Sequence, residues 1–155
     1  MKKNKGFTLV EILIVVAIIG ILASIILVGL GSLRSQGRDA RRIADLHQVQ
    51  NALELYFTKN GYYPPNTITT WTGAGSLTAA LTGAGIGVSL VPNDPNTGST
   101  YAYGSNAGGT SANSYVLRAI LENTNNPALN NDMDGTVYGV DCTVGSPETA
   151  YCVQL

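Results

Sequence analysis

The sequence predicts an α+β protein: one long amino-terminal helix, with a small antiparallel sheet packed on the second half of that helix. Three observations carry this reading. Residues 7–33 are almost wholly apolar, with Glu11 as the one charged side chain. From Ile43 the apolar residues recur at Leu46, Val49, Leu53, Tyr56 and Phe57, the three-and-four spacing of one helix face. Beyond residue 100, short alternating segments are separated by Gly, Pro, Asn and Asp, the composition of strands and turns. At 155 residues the chain has room for one small domain and one long element.

The apolar run opens the first element. At about 1.5 Å per residue, a helix over it would be roughly 40 Å long, enough to cross a hydrocarbon core of about 30 Å. Thr8, Ser24 and Ser32 are its other polar residues. A carboxylate at mid-bilayer costs about 2.5–3.5 kcal/mol, so Glu11 either has a function there or lies near the helix end and snorkels to the interface. Gly20, Gly29 and Gly31 are weak helix formers; they either soften the run or let helices pack closely.

After Leu33 the pattern turns amphipathic. Arg38, Arg41, Arg42, Asp45, Gln48, Asn51 and Glu54 fill the polar side, and no breaker other than Gly37 interrupts the chain before Lys59. One continuous helix from Phe7 to about Lys59 follows, stopped by Asn60-Gly61 and then Pro64-Pro65. The group Arg34, Arg38, Arg41 and Arg42 reads either as a patch for phosphate or anionic lipid, or as a solvated polar face or a source of ion pairs to another subunit. His47, without cysteine or carboxylate partners at ligand spacing, reads as a helix-surface residue.

Residues 66–89 form a Thr/Gly/Ala/Ser-rich connection in which Ser76 caps a short helix through Leu81, ended by Gly83 and Gly85. Trp71, the only tryptophan, anchors this loop. The glycines at 73, 75, 83, 85 and 87 match no phosphate-loop spacing. Residues 92–98 are a turn cluster. Three short strands follow, over 101–103, 115–120 and 136–140.

Charge narrows the function classes. From Gly61 onward Arg118 is the only basic residue, against six acids: Asp94, Glu122, Asp132, Asp134, Asp141 and Glu148. That surface is a poor match for a phosphate backbone, so no direct nucleic-acid binding is expected of the head. One histidine, with no Ser, Cys or Asp beside it in a recognised arrangement, offers no catalytic constellation, and no enzyme activity is expected. Two cysteines in the last fourteen residues point to an oxidising compartment. An ordinary secretory signal would have an apolar core of about 7–15 residues, much shorter than this one.

Lys2, Lys3 and Lys5, then Gly6, then Phe7-Thr8-Leu9-Val10-Glu11 opening an unbroken apolar run, resemble a type IV prepilin or type II secretion pseudopilin. The similarity is strong over residues 1–33, weaker over 34–65 and generic beyond. It implies a pilin fold with four parts: leader 1–6, membrane- or filament-core helix 7–33, amphipathic helix 34–60 and head 61–155. It implies cleavage by a membrane prepilin peptidase between Gly6 and Phe7, N-methylation of Phe7, and pairing of Glu11 with the Phe7 amine of a neighbouring subunit. The physics agrees: a buried acid needs a buried cation, and residues 7–33 contain no Lys or Arg. Without the leader, six basic residues face ten acids, a net charge of −4. The family usually has a proline where this chain has Val28, so a proline kink is not expected.

Partners implied by the resemblance are the chain itself in a helical homopolymer, the peptidase, the inner-membrane assembly machinery, and membrane lipid before assembly. The amino terminus would be cytoplasmic, and the head would end in an extracellular pilus or a periplasmic pseudopilus. A competence fibre and a non-assembling membrane-anchored head are the other readings. Cys142 and Cys152 enclose nine residues, and pairing them would contribute on the order of 2–3 kcal/mol; pilins often carry such a bond near the carboxyl end. Asn130, Asp132, Asp134, Gly135 and Asp141 stand at positions 1, 3, 5, 6 and 12 of a calcium-loop window. Position 1 is Asn, position 12 is Asp, and Asp-Gly is also an ordinary turn, so Ca2+ is a possible cofactor and a plain turn the alternative.

Overall fold

The computed structural model describes residues 6–146 and 148–155. The leader lysines Lys2, Lys3 and Lys5 lie outside the described residues, as do the side chains of residues 27–30, Val28 among them. The chain divides into two compact units, Met1–Ser35 and Gln36–Leu155.

Helix α1 runs over Leu9–Asn60, 52 residues without a break in its backbone. Among the described residues of the first unit its large side chains stand open: Ile12, Leu13, Ile14, Val15 and Val16 are each more than half exposed. This helix is long and apolar enough to cross a membrane. The carboxyl end of α1 follows the local signals. Gly61 takes φ +80°, and its N–H donates to the Phe57 carbonyl at 2.7 Å, a glycine stop.

In the second unit Leu46, Val49 and Leu53 of α1 are fully buried. They pack into one core with Tyr63, Trp71, Tyr101, Tyr115, Leu117 and Ala119. Each fully buried large apolar side chain contributes about 1.5–3 kcal/mol. Helix α2, Leu77–Gly83, adds Leu77 and Leu81 to that core. Ser76 caps it, its side chain accepting the Ala79 N–H at 3.2 Å. The indole N–H of Trp71 donates to the Pro92 carbonyl at 2.9 Å, which ties the connection down as expected.

Strands β1 (Ala102–Ser105), β2 (Tyr115–Ile120) and β5 (Ala150–Gln154) form an antiparallel sheet in the order β1-β2-β5. Tyr115, Leu117 and Ala119 point into the helix-side core, and Val116 joins Val140, Cys142 and Cys152 on the opposite face. Strand β2 is therefore covered on both faces, which explains its nearly continuous apolar sequence.

One expectation needs correction, and one strand was missed. The single strand expected over 136–140 is a hairpin, β3 (Thr136–Val137) and β4 (Val140–Asp141), paired Thr136 to Asp141 and Val137 to Val140. Its two-residue turn is Tyr138-Gly139, with φ +48° and +81°, the pattern of a type I′ turn. Tyrosine favours strands, and that propensity masked the turn. Strand β5 was not foreseen at all. It pairs with β2 over Val116–Gln154 to Ile120–Ala150.

The hairpin lies close over β1. A Cβ built on Gly104 would sit 2.6 Å from the Tyr138 carbonyl oxygen and 3.0 Å from Val140 Cγ2. Only glycine fits there without moving the hairpin.

Candidate functional site

The amino-terminal motif builds its own helix start. Thr8 precedes the first helical residue, and Thr8-Leu9-Val10-Glu11 has the spacing of a capping box. Glu11 Oε2 accepts the Thr8 N–H at 2.7 Å and the Thr8 hydroxyl at 2.8 Å. In return Thr8 Oγ1 accepts the Glu11 N–H at 3.3 Å. The carboxylate thus sits in the first turn of α1, where the helix dipole also favours negative charge. Gly6 and Phe7 precede the helix, with Phe7 84% exposed. The Ser/Thr-x-x-Glu spacing was legible in the sequence, but the opening apolar run drew the reading to the membrane instead.

At the start of the second unit lies a charged node that sequence reasoning missed. The Arg42 side chain is 1% exposed and meets three carboxylates. Its Nε and Nη2 grip both oxygens of Asp94 at 2.8 and 3.0 Å. Its Nη1 donates to Asp39 Oδ1 at 2.8 Å and Glu122 Oε1 at 2.9 Å. Asp39 is fully buried and accepts the Glu122 and Asn123 N–H groups, each at 2.9 Å. Arg38 makes a close two-point contact with Glu122. The expectation of a solvated or lipid-facing arginine face is therefore corrected for Arg42. It is a buried hub that clamps α1 to the loops at 94 and 122, while Arg34 and Arg41 are exposed.

Asp45, placed on the polar face by its sequence position, is also buried and accepts the Tyr101 hydroxyl at 2.7 Å. Hydrogen bonds to Asp94 raise the Arg42 pKa further. The contact with Arg38, then that with Arg42, holds the Glu122 carboxyl down at about 2. His47 is exposed and hydrogen-bonds Gln50 at 2.8 Å, a surface residue as expected.

Cys142 and Cys152 are joined in a disulfide with Cα atoms 5.8 Å apart. It links the end of the β3–β4 hairpin to β5, on the outer face of the sheet.

The calcium-window residues are distributed around the same hairpin. Asn130 closes a 3₁₀ turn, Pro127–Asn130. Asp132 Oδ2 accepts the Cys152 N–H at 2.9 Å, while its Oδ1 is buried without a partner. Asp134 is exposed. Asp141 lies in β4, its Oδ1 held by the N–H and hydroxyl of Thr143 at 2.9 and 2.7 Å. Glu148, absent from the window, also has a buried oxygen without a partner. Burial, then the charges of Asp134 and Asp132, push Glu148 up; burial also pushes Asp132 up. Among the described residues no three such groups form a ready metal cage. Two orphaned carboxylate oxygens in an electronegative cluster nonetheless fit the hard, oxygen-seeking chemistry of Ca2+.

Comparison with known proteins bears on the first half of the chain. Residues 1–27 match the family model described as the prokaryotic N-terminal methylation motif. The type II secretion system core protein G of Escherichia coli (strain K12) is 38% identical over 80 residues, 52% of each chain. Its counterpart in Vibrio cholerae is 38% identical over 64 residues, 41% of this chain and 44% of the relative. The type IV wide pilus major component PilA4 of Thermus thermophilus is 39% identical over 66 residues, 43% of this chain and 50% of the relative. The chain spans about half the length of the curated relatives it matches. No solved structure gives a significant match. The chain carries the prokaryotic N-terminal methylation motif on an α+β pilin-type fold, and its first half is similar to type II secretion pseudopilins and to a type IV pilin.

Proposed function

We propose that this chain is a structural subunit of a type IV pilus-like filament, cleaved after Gly6, N-methylated at Phe7 and polymerised through its apolar helix. The observation that carries the reading is the isolation of Glu11. It is the one charge in residues 7–33, and its partners within the chain are the neutral groups of Thr8. A carboxylate moved into an apolar core needs a cation, and the Phe7 amine released by cleavage is the one that a neighbouring subunit brings to that depth. Prepilin peptidase and the inner-membrane assembly machinery are the partners this route requires. Its role is structural, without enzyme chemistry of its own.

The test is Glu11→Leu. Membrane insertion should be unchanged and filament yield should fall at least tenfold; normal filaments from the variant would refute the pairing. Mass spectrometry of the amino terminus reads the processing step directly, and recovery of only the uncleaved, unmethylated chain would end the proposal.

A second reading has specific support. Several of the similar proteins are type II secretion core protein G from different bacteria. Under it, the same helix drives a short periplasmic pseudopilus. The Cys142–Cys152 bond favours the pilus, because a carboxyl-terminal disulfide is common in pilins and uncommon in major pseudopilins. Long surface filaments decide for the pilus, and short fibres dependent on a secretion channel decide for the pseudopilus.

For the acidic cluster we propose Ca2+, held by Asp132 and Glu148 with Asp134 beside them. Millimolar calcium should raise the melting temperature of the head transition, and Asp132→Ala should abolish the rise. No shift in the wild type would remove the cation from the account.

A further inference from the structure

Arg118 is the only basic residue after Lys59, in a stretch with six acids. It lies on the outer face of β2, directly opposite Cys152. Its guanidinium is only partly compensated. Nη1 donates to the Asp141 backbone carbonyl at 2.8 Å, Nε is buried without a hydrogen bond, and none of the ion pairs among the described residues includes it. The Asp141 carboxyl, lowered first by its hydrogen bonds to Thr143, is lowered also by the Arg118 charge. Among the described residues, however, no carboxylate reaches the guanidinium within ion-pair distance. With Nε unpaired the arrangement is incomplete, since each lost hydrogen bond to a charged group is costly.

The guanidinium opens onto a cleft of about 620 Å³ between β1, the β3–β4 hairpin and the loop at Asn66–Thr69. The rim of that cleft is chemically mixed in a particular way. Asn66 and Thr69 offer neutral donors and acceptors, and the exposed ring of Tyr138 offers apolar surface. Tyr138 is the one non-glycine residue with positive φ among the described residues. Its hydroxyl is fixed by a hydrogen bond to Ser114 Oγ and another from the Gln154 amide, each 3.1 Å. The Asp141 carboxylate also borders the cleft, but its Oδ1 is engaged by Thr143.

We propose that this cleft binds a carboxylate-bearing sugar, with Arg118 receiving the carboxylate and the amide and hydroxyl rim receiving the ring hydroxyls. One fixed cation selects one anionic group. The planar fork of a guanidinium matches a carboxylate better than an ammonium does. The neutral rim and the Tyr138 face suit a polyhydroxylated ring with apolar edges, and a second anion would meet the acidic surroundings. The proposal goes beyond the filament reading and stands whether or not the chain polymerises.

The test is calorimetric titration of the full chain in detergent with galacturonate, with glucose and acetate as controls. Galacturonate should bind saturably, at least tenfold more tightly than either control. Arg118→Gln should weaken it at least tenfold and Arg118→Lys should restore only part. Because Arg118→Gln also removes the bond to the Asp141 carbonyl, Thr69→Val serves as a second variant on the exposed rim. It should weaken galacturonate severalfold while leaving the melting temperature unchanged. No saturable binding by the wild type overturns the site. Equal binding of glucose overturns the role of Arg118, equal binding of acetate overturns the sugar, and unchanged affinity in both variants overturns the location.

Discussion

The two halves of α1 solve opposite problems with the same backbone. In the first, apolar side chains are more than half exposed around the helix, and the single acid is satisfied by a neighbour three residues away. In the second, Leu46, Val49 and Leu53 are covered by strands and loops far along the chain, and Arg42 is satisfied by acids up to 80 residues distant. The first half is complete only as a helix and leaves its side chains to an apolar environment. The second is complete as a fold. Stability in the first half therefore depends on surroundings, and in the second on contacts within the chain.

Arg42→Ala is the strongest way to sharpen that contrast. It strands Asp39 and Asp94 without their shared cation, which costs about 3–5 kcal/mol for a buried pair broken from one side. The thermal transition of the head should drop accordingly. Glu11→Leu should leave that transition where it is, and a shift would break the separation between the halves.

Next in size is the disulfide. Reduction, or Cys142→Ser with Cys152→Ser, should remove on the order of 2–3 kcal/mol, read as a lower denaturant midpoint for the full chain in detergent. Gly104→Ala should cost about 1–3 kcal/mol, because the atom nearest the added methyl is the Tyr138 backbone carbonyl, which cannot swing away as a side chain can. Its effect should be local, with faster amide exchange in the hairpin.

The smallest effect is a pH dependence. Glu122 has its carboxyl held at about 2, against an ordinary value of 4.5. A depressed carboxyl contributes stability that is present above the unfolded value and is lost as pH falls through the folded one. The melting temperature should therefore decline between about pH 4.5 and 2. Glu122→Gln should flatten that decline. Asp132 and Glu148, pushed the other way, work with opposite sign: protonating them relieves crowding, so Asp132→Asn should deepen the net acid loss.

What could be read in advance divides along similar lines. The end of α1 at Asn60, the Ser76 cap and the bounds of β2 all rest on signals within a few residues, and the structure has them where the sequence placed them. The pairing of Cys142 with Cys152 needed only that there be two cysteines. Arg42 looked like its neighbours Arg38 and Arg41, because nothing local distinguishes a hub whose acids sit at 94 and 122. The β3–β4 turn was hidden by a tyrosine in a conformation that tyrosine rarely adopts. Strand β5 carries the buried residues Tyr151 and Cys152 in a five-residue segment too short to declare itself.

The Thr8–Glu11 cap has a consequence for timing. Every donor and acceptor in it lies on the carboxyl side of the Gly6–Phe7 peptide. Under the proposed processing, severing that peptide leaves the first turn untouched. The new amine arrives four residues upstream of a carboxylate already held in place, so the subunit is ready to accept its neighbour the moment the leader departs.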